Sequence, residues 1–222
     1  MSGPRVVSQG RRREQGVALL LAMMAVLLAG FSLAVDALLV YGKRVREEKR
    51  AATALAMAKK SLIAYGVVQG GAAKALPCPF LGSVNDYGQA ATATACGGSD
   101  TAVIGLLPWT TLQRPPLWDG EHAPIWYALS GNFKQGTTAA TPAVCGAQVN
   151  GLTINGTGDY AAILFAPGGA VPGQSRDLSL APPLQSAYLE EGNEIGPLDF
   201  VFKQATSSFN DQLLGITCGE IP

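Results

Sequence analysis

Between Gly16 and Asp36 the chain runs through residues 17–35 without a charge or a proline, and Ser32 is the one polar side chain of that stretch. After Asp36 the apolar character resumes as Ala37-Leu38-Leu39-Val40-Tyr41. No other feature restricts the fold as strongly. A soluble surface helix has a polar face, whereas here Leu, Ala, Met and Val occupy every side, so that lipid or a bundle of similar helices must solvate it. About 20 apolar residues rising about 1.5 Å each cross a hydrocarbon core roughly 30 Å thick. Residues 17–41 therefore read as a transmembrane helix. Asp36 lies towards its far end, where an acid costs much less than at the bilayer centre, and it reads as interfacial.

Past Tyr41 the pattern changes without a stop signal. Lys43 with Glu47, and Arg44 with Glu48, are opposite charges at i,i+4, while Ala51, Leu55, Ala58, Leu62 and Tyr65 recur every three or four residues. An amphipathic extension of the same helix is expected over residues 42–70, its apolar stripe lying on a soluble domain. Gly66 followed by Gly70-Gly71 is expected to end it. Two helices with a break near Gly42 are the alternative.

Residues 71–222 switch to short β-like runs between turn residues. Ala75-Leu76-Pro77-Cys78-Pro79 is not helical, because proline lacks a donor and restricts its predecessor. Strands are expected at residues 124–129, at 151–154 closed by Asn155-Gly156, at 160–165 and at 198–202. Ile104-Gly105-Leu106-Leu107-Pro108-Trp109 is a further β-like run. Strands so close together, without long helices between them, favour an antiparallel sheet. The expected class is α+β, a long N-terminal helix covering one face of a small antiparallel sheet.

A formal net charge of zero hides an asymmetry: up to Lys60 there are eleven Lys and Arg against four acids, and beyond it five bases against twelve acids. The basic end flanks the apolar run and suits lipid headgroups. Nothing in the acidic remainder points to a nucleic-acid surface. Arg11-Arg12-Arg13 just before the run holds the N-terminus on the cytoplasmic side, although Lys43, Arg44, Arg46, Lys49 and Arg50 beyond it pull the other way. Orientation therefore rests partly on Cys78, Cys96, Cys145 and Cys218, which all follow the run and suit an oxidising compartment. With His122 as the sole histidine and no CxxC pair, a two-disulfide framework fits better than zinc. Three pairings are open, and Cys78–Cys96 with Cys145–Cys218 is favoured because neither crosses the other. Cys78 and Cys96 would then staple the loop over residues 85–100.

Three fates are open for the N-terminus. A signal peptide would be cut after Ser32-Leu33-Ala34, but the apolar run exceeds a usual h-region and continues past that point. A signal anchor would keep the whole run. In the third, a peptidase on the cytoplasmic side cuts after Gly16, the glycine between the basic leader 1–16 and the unbroken helix, and leaves Val17 first.

These residues resemble the type IV pilin and type II secretion pseudopilin superfamily, whose short basic leader ends in glycine and is removed by a prepilin peptidase. The resemblance implies cleavage between Gly16 and Val17, N-methylation of Val17 and a pilin-like fold. The family's usual glutamate at the fifth mature position is Leu21 here, which implies a minor or tip-proximal subunit. Several phrases, among them Leu76-Pro77-Cys78-Pro79, Ile125-Trp126-Tyr127-Ala128-Leu129-Ser130 and Phe209-Asn210-Asp211-Gln212-Leu213-Leu214, are similar to those of poorly characterised bacterial prepilin-like proteins. The implied partners are other pilin-like subunits, the prepilin peptidase and membrane lipid. The implied location is the bacterial inner membrane, single-pass, N-terminus cytoplasmic, with the domain periplasmic or extracellular in a filament.

Other chemistries are weakly represented. His122 sits in the turn Asp119-Gly120-Glu121-His122-Ala123-Pro124 and reads as a surface residue, so no catalytic residue is assigned and no enzyme is expected. No Gly-rich phosphate loop with a lysine occurs. Asn85-Asp86-Tyr87 and Glu190-Glu191-Gly192-Asn193-Glu194 are oxygen-rich but lack the alternating acids of a calcium loop, and read as solvated surface. No metal or cofactor is assigned. Trp109, Trp118 and Trp126 read as core in preference to a recognition patch. The expected role is a minor structural subunit of a type II secretion or type IV pilus filament, against a signal-anchored, non-polymerising periplasmic binding domain.

Overall fold

The protein is seen in a computed structural model that describes residues 10–69, 75–82, 87–97, 101–135, 151–176, 184–195 and 198–221. It is α+β. Among the described residues one α-helix, α1 (Gly10–Gln69), precedes six strands: β1 (Val103–Leu106), β2 (Trp126–Leu129), β3 (Leu152–Ile154), β4 (Thr157–Ala166), β5 (Asp199–Phe200) and β6 (Gln212–Thr217). The helix is continuous through Gly42, so the alternative of two helices does not occur. The chain divides into two compact units, residues 1–46 and 47–222.

In the first unit the described large apolar side chains from Leu19 to Tyr41 are between 56% and 72% exposed, except Val35, which is half-buried. This helix is long and apolar enough to cross a membrane, with a mean hydropathy of 2.3 over its most apolar window. Asp36 is exposed.

In the second unit the stripe read from periodicity is the buried face. Ala51, Ala54, Leu55, Ala58, Ser61 and Leu62 are buried, Tyr65 is half-buried, and Ala52, Ala56, Lys60 and Ala64 are exposed on the other side. Small residues at 51, 54 and 58 bring the helix close to the sheet, and Leu55 and Leu62 supply the bulk. Full burial of one such leucine contributes about 1.5–3 kcal/mol. The helix ends at Gln69, just ahead of Gly70-Gly71 as expected, and Gly66 lies within it. It is buried within the last turns, and a Cβ there would lie 3.3 Å from Ile221 Cγ2 and 3.6 Å from Leu76 Cδ2. Its missing side chain therefore makes room for the C-terminus, and the helix runs on to Gln69.

Strand β4 organises the sheet. Ala162 pairs with Leu129 of β2 and with Ile216 of β6, while Tyr160 pairs with Leu152 of β3 and with Thr217 of β6. Strands β2 and β3 thus share one edge of β4 in succession, and β6 takes the other. Strand β1 extends β2 antiparallel, and β5 adds to β3 in parallel. The expected all-antiparallel sheet is therefore mixed. Strand β5 follows β4 in sequence but lies on the far edge of β3, running in the same direction, so this pair is parallel.

Period-two alternation splits the core in two. Tyr127, Leu129, Ala162, Leu164 and Ile216 face Leu55, Ala58 and Leu62 of α1 in one cluster. Trp126, Ala128, Ile163 and Phe165 join Phe80, Tyr188 and Leu189 from the long connections, and Phe200 of β5, in the other. Both faces of β4 are covered, so residues 161–166 are buried without interruption. Asn155 (φ 51°) and Gly156 (φ 69°) form the expected tight turn, with Ile154 paired to Thr157.

Candidate functional site

The two groups of residues singled out from sequence lie far apart in function. Gly16 and Val17 are both within α1, so the peptide bond between a basic leader and the apolar run is helical. Leu21, at the fifth position from Val17, is exposed with the apolar residues around it. Cys78 and Cys96 are joined, with Cα atoms 6.1 Å apart, and staple residues 79–95. Cys218 is buried and disulfide-bonded, whereas Cys145, its expected partner, lies outside the described residues. No described cysteine is free.

The staple closes over a buried lysine. Lys134 is 3% exposed, and its Nζ donates to Cys96 O at 2.5 Å and to Thr101 Oγ1 at 3.4 Å. The adjoining chain is held too: Leu76 N donates to Phe133 O (2.7 Å) and Gln135 N to Leu76 O (3.0 Å). Phe80, Tyr87 and Trp109 stack edge-on in series, at 5.4 and 4.8 Å between centroids. Trp109 and Trp126 are core as expected, and Trp118 is half-buried. His122 is exposed, in a turn with φ 61°.

Sequence reading missed the polar centre of the domain. Glu190 and Asn193, expected as solvated surface, are buried with Asp119 and Asp211. Asn85 and Asp86, the other oxygen-rich patch, lie outside the described residues. Asp119 Oδ1 accepts from the backbone N–H of Glu121 and of Ala123, both at 2.8 Å, and Oδ2 accepts from Gly168 N at 2.7 Å. Burial still raises this carboxyl above its ordinary value, against those three donors and the nearby Arg176.

Arg176 ties several loops to one another. Its guanidinium donates to Gly168 O, to Gly169 O (3.1 Å), to Ala187 O (3.3 Å) and to Gln174 Oε1 (3.1 Å). It also sits 5.1 Å from the Tyr188 ring centroid and 4.0 Å from Glu190 Oε1. Burial lowers its pKa, and Glu190 and Asp119 oppose that shift.

Glu190 Oε1 accepts from Gln174 Nε2 (2.8 Å) and Oε2 from Asn210 N (3.1 Å). Its own N–H donates to Asp211 Oδ2 at 3.1 Å, which also accepts from Asn193 Nδ2 at 2.9 Å. Asp211 Oδ1 is buried with no donor aimed at it. Burial first, and then the charge of Glu190, pushes the Asp211 carboxyl up to about 8. Burial raises the Glu190 carboxyl as well, against the Asn210 and Gln174 donors and the nearby Arg176. Asn193 completes the clamp by exchanging hydrogen bonds with Val201, Nδ2 to Val201 O (3.1 Å) and Val201 N to Oδ1 (2.8 Å). What the cluster does chemically is join residues 119–123, 168–176, 188–193 and 209–211 at the end of β4 and the start of β6.

A cleft of about 370 Å³ lies apart from this cluster, against the edge strand β1. Ile104, Gly105 and Leu106 form one side, and Gln185 and Ser186 of the 3-10 turn Gln185–Ala187 another, with Phe80, Leu81, Trp126, Leu184 and Glu194 completing the described lining. Gln185 Nε2 donates to Ile104 O at 3.1 Å and fixes the turn on the strand. No family model, no curated protein and no solved structure matches this chain.

Proposed function

We propose that the chain is a membrane-anchored, pilin-like minor subunit of a type II secretion or type IV pilus filament. The observation that carries this reading is the change of face along α1. Its described residues 19–32 and 35–41 expose nearly all their apolar side chains, whereas residues 51–62 bury a single stripe on a sheet. The first pattern demands lipid or neighbouring apolar helices, and the second anchors a folded domain. Assembly is the mechanism: the apolar segment stays in the membrane until it bundles with others, and the disulfide-stapled domain travels with it. The prepilin peptidase cuts after Gly16 and Val17 is methylated. The N-terminus is cytoplasmic and the cysteines lie on the oxidising side. Leu21, which has no acid to offer a neighbour's terminal amine, assigns a minor position.

A photo-crosslinker at Leu27, 72% exposed, tests assembly in membranes. The expected adduct joins this chain to a second protein that itself begins with a basic leader and an apolar helix. Adducts to lipid alone, in cells that carry the assembled machine, contradict the proposal. They favour the second reading, a signal-anchored binding domain, for which the cleft beside β1 is the specific observation.

A further inference from the structure

We propose that the cleft beside β1 binds an organic cation, an ammonium or guanidinium group carried on a short apolar stem. Its volume of about 370 Å³ is that of a small-ligand site. Phe80, Ile104, Leu106 and Trp126 make most of the wall apolar, which accounts for the stem. Glu194 is the only ionisable side chain in the described lining, and no lysine or arginine accompanies it. One of its oxygens, Oε2, is occupied by Gly192 N at 2.6 Å, which fixes the carboxylate in place.

The amide of Gln185 is fixed in the same manner: Nε2 is spent on Ile104 O, which leaves the carbonyl Oε1 as an acceptor. An acid and an amide oxygen on apolar walls complement a group with several N–H donors and no acceptor. The ligand is a free amine with such a stem or the side chain of a basic residue in a peptide.

The inference does not rest on filament assembly. Saturation-transfer NMR on the full chain in a non-ionic detergent tests it, with benzylamine, its neutral analogue benzyl alcohol, and the capped amino acid acetyl-arginine-methylamide as probes. Saturable binding of benzylamine at least tenfold tighter than of benzyl alcohol is expected, with a fivefold or greater loss in Glu194→Gln, in which the oxygen that accepts from Gly192 is kept. Tighter binding of the capped arginine than of benzylamine assigns the site to peptides, and the reverse order assigns it to free amines. Equal binding of benzylamine and benzyl alcohol to the unaltered chain overturns the proposal, as does a Glu194→Gln variant with unchanged affinity and melting temperature.

Discussion

Lys59 Nζ lies 2.6 Å from Glu220 Oε1 and donates to Gly215 O at 2.9 Å, so one helical side chain holds both β6 and the turn that follows it. Burial raises the Glu220 carboxyl, but the Lys59 hydrogen bond and the Thr217 donors outweigh it and leave the pKa below its ordinary value. The depressed value means that this contribution is present above the unfolded pKa and is lost as the pH falls through the folded one. Glu220 is 40% exposed at its side chain, so solvent screens most of the ion pair. Lys59→Met is therefore expected to cost about 1–2 kcal/mol, chiefly through the Gly215 carbonyl left without its charged donor. Glu220→Gln is expected to cost less than about 1 kcal/mol. Urea unfolding of the two variants in detergent measures both, and equal losses contradict this division.

Asp211 gives the domain a pH response of opposite sign. Burial and the charge of Glu190 push its native carboxyl up to about 8 from an ordinary value of 3.8, so unfolding releases a proton between those limits. Stability then falls as the pH rises from about 4 to about 8 and levels off above that. Glu190 and Asp119, both raised by burial, act in the same direction. Asn resembles the protonated acid, so Asp211→Asn should flatten the fall between pH 5 and pH 8. Unfolding midpoints at pH 5, 7 and 9 check this, and an unchanged slope in the variant contradicts it.

Leu62 is completely buried between helix and sheet, and Leu62→Ala is expected to lose about 2–5 kcal/mol. Gly120 tests the same packing from the other partner, because a Cβ there would stand 2.5 Å from both Cα and O of Glu47. Gly120→Ala should cost as much as a core truncation although it removes no contact. Ala64→Ser, on the exposed side, should stay within about 0.5 kcal/mol. A thermal melt of each variant is sufficient, and a neutral Gly120→Ala would show that the turn does not rest on the helix.

The Cys78–Cys96 staple closes a loop of 18 residues in sequence separation. Replacing both cysteines by serine is expected to cost about 2–4 kcal/mol. A non-reducing peptide map should recover Cys78 and Cys96 in one linked fragment, and a link from either to Cys145 or Cys218 would refute the pairing.

How much of this was legible depended on whether the signal was local. The apolar run as one long exposed helix, the stripe 51–62 and the Asn155-Gly156 turn are each written within a few consecutive residues, and the structure has each of them. Strand β6 was not, because Gly215 breaks its apolar pattern. The Tyr160 ring lies where a Cβ of Gly215 would be, a cover supplied from β4 that no local window contains. Glu190 and Asn193 look like surface in sequence, since acids and amides are usually solvated. Gln174, Asn210 and Arg176 around Glu190, and Asp211 and Val201 around Asn193, come together only in the fold and make that burial tolerable. The parallel pairing of β5 likewise depends on the long return path and not on its own two residues.

The central claim, that this helix is a processed pilin-like anchor and assembly segment, is tested most directly by intact-mass spectrometry of the chain extracted from its native membranes. The account predicts a mature protein that begins at Val17 and carries one added methyl group. A chain that still begins at Met1, or one that begins at Val35, would contradict it.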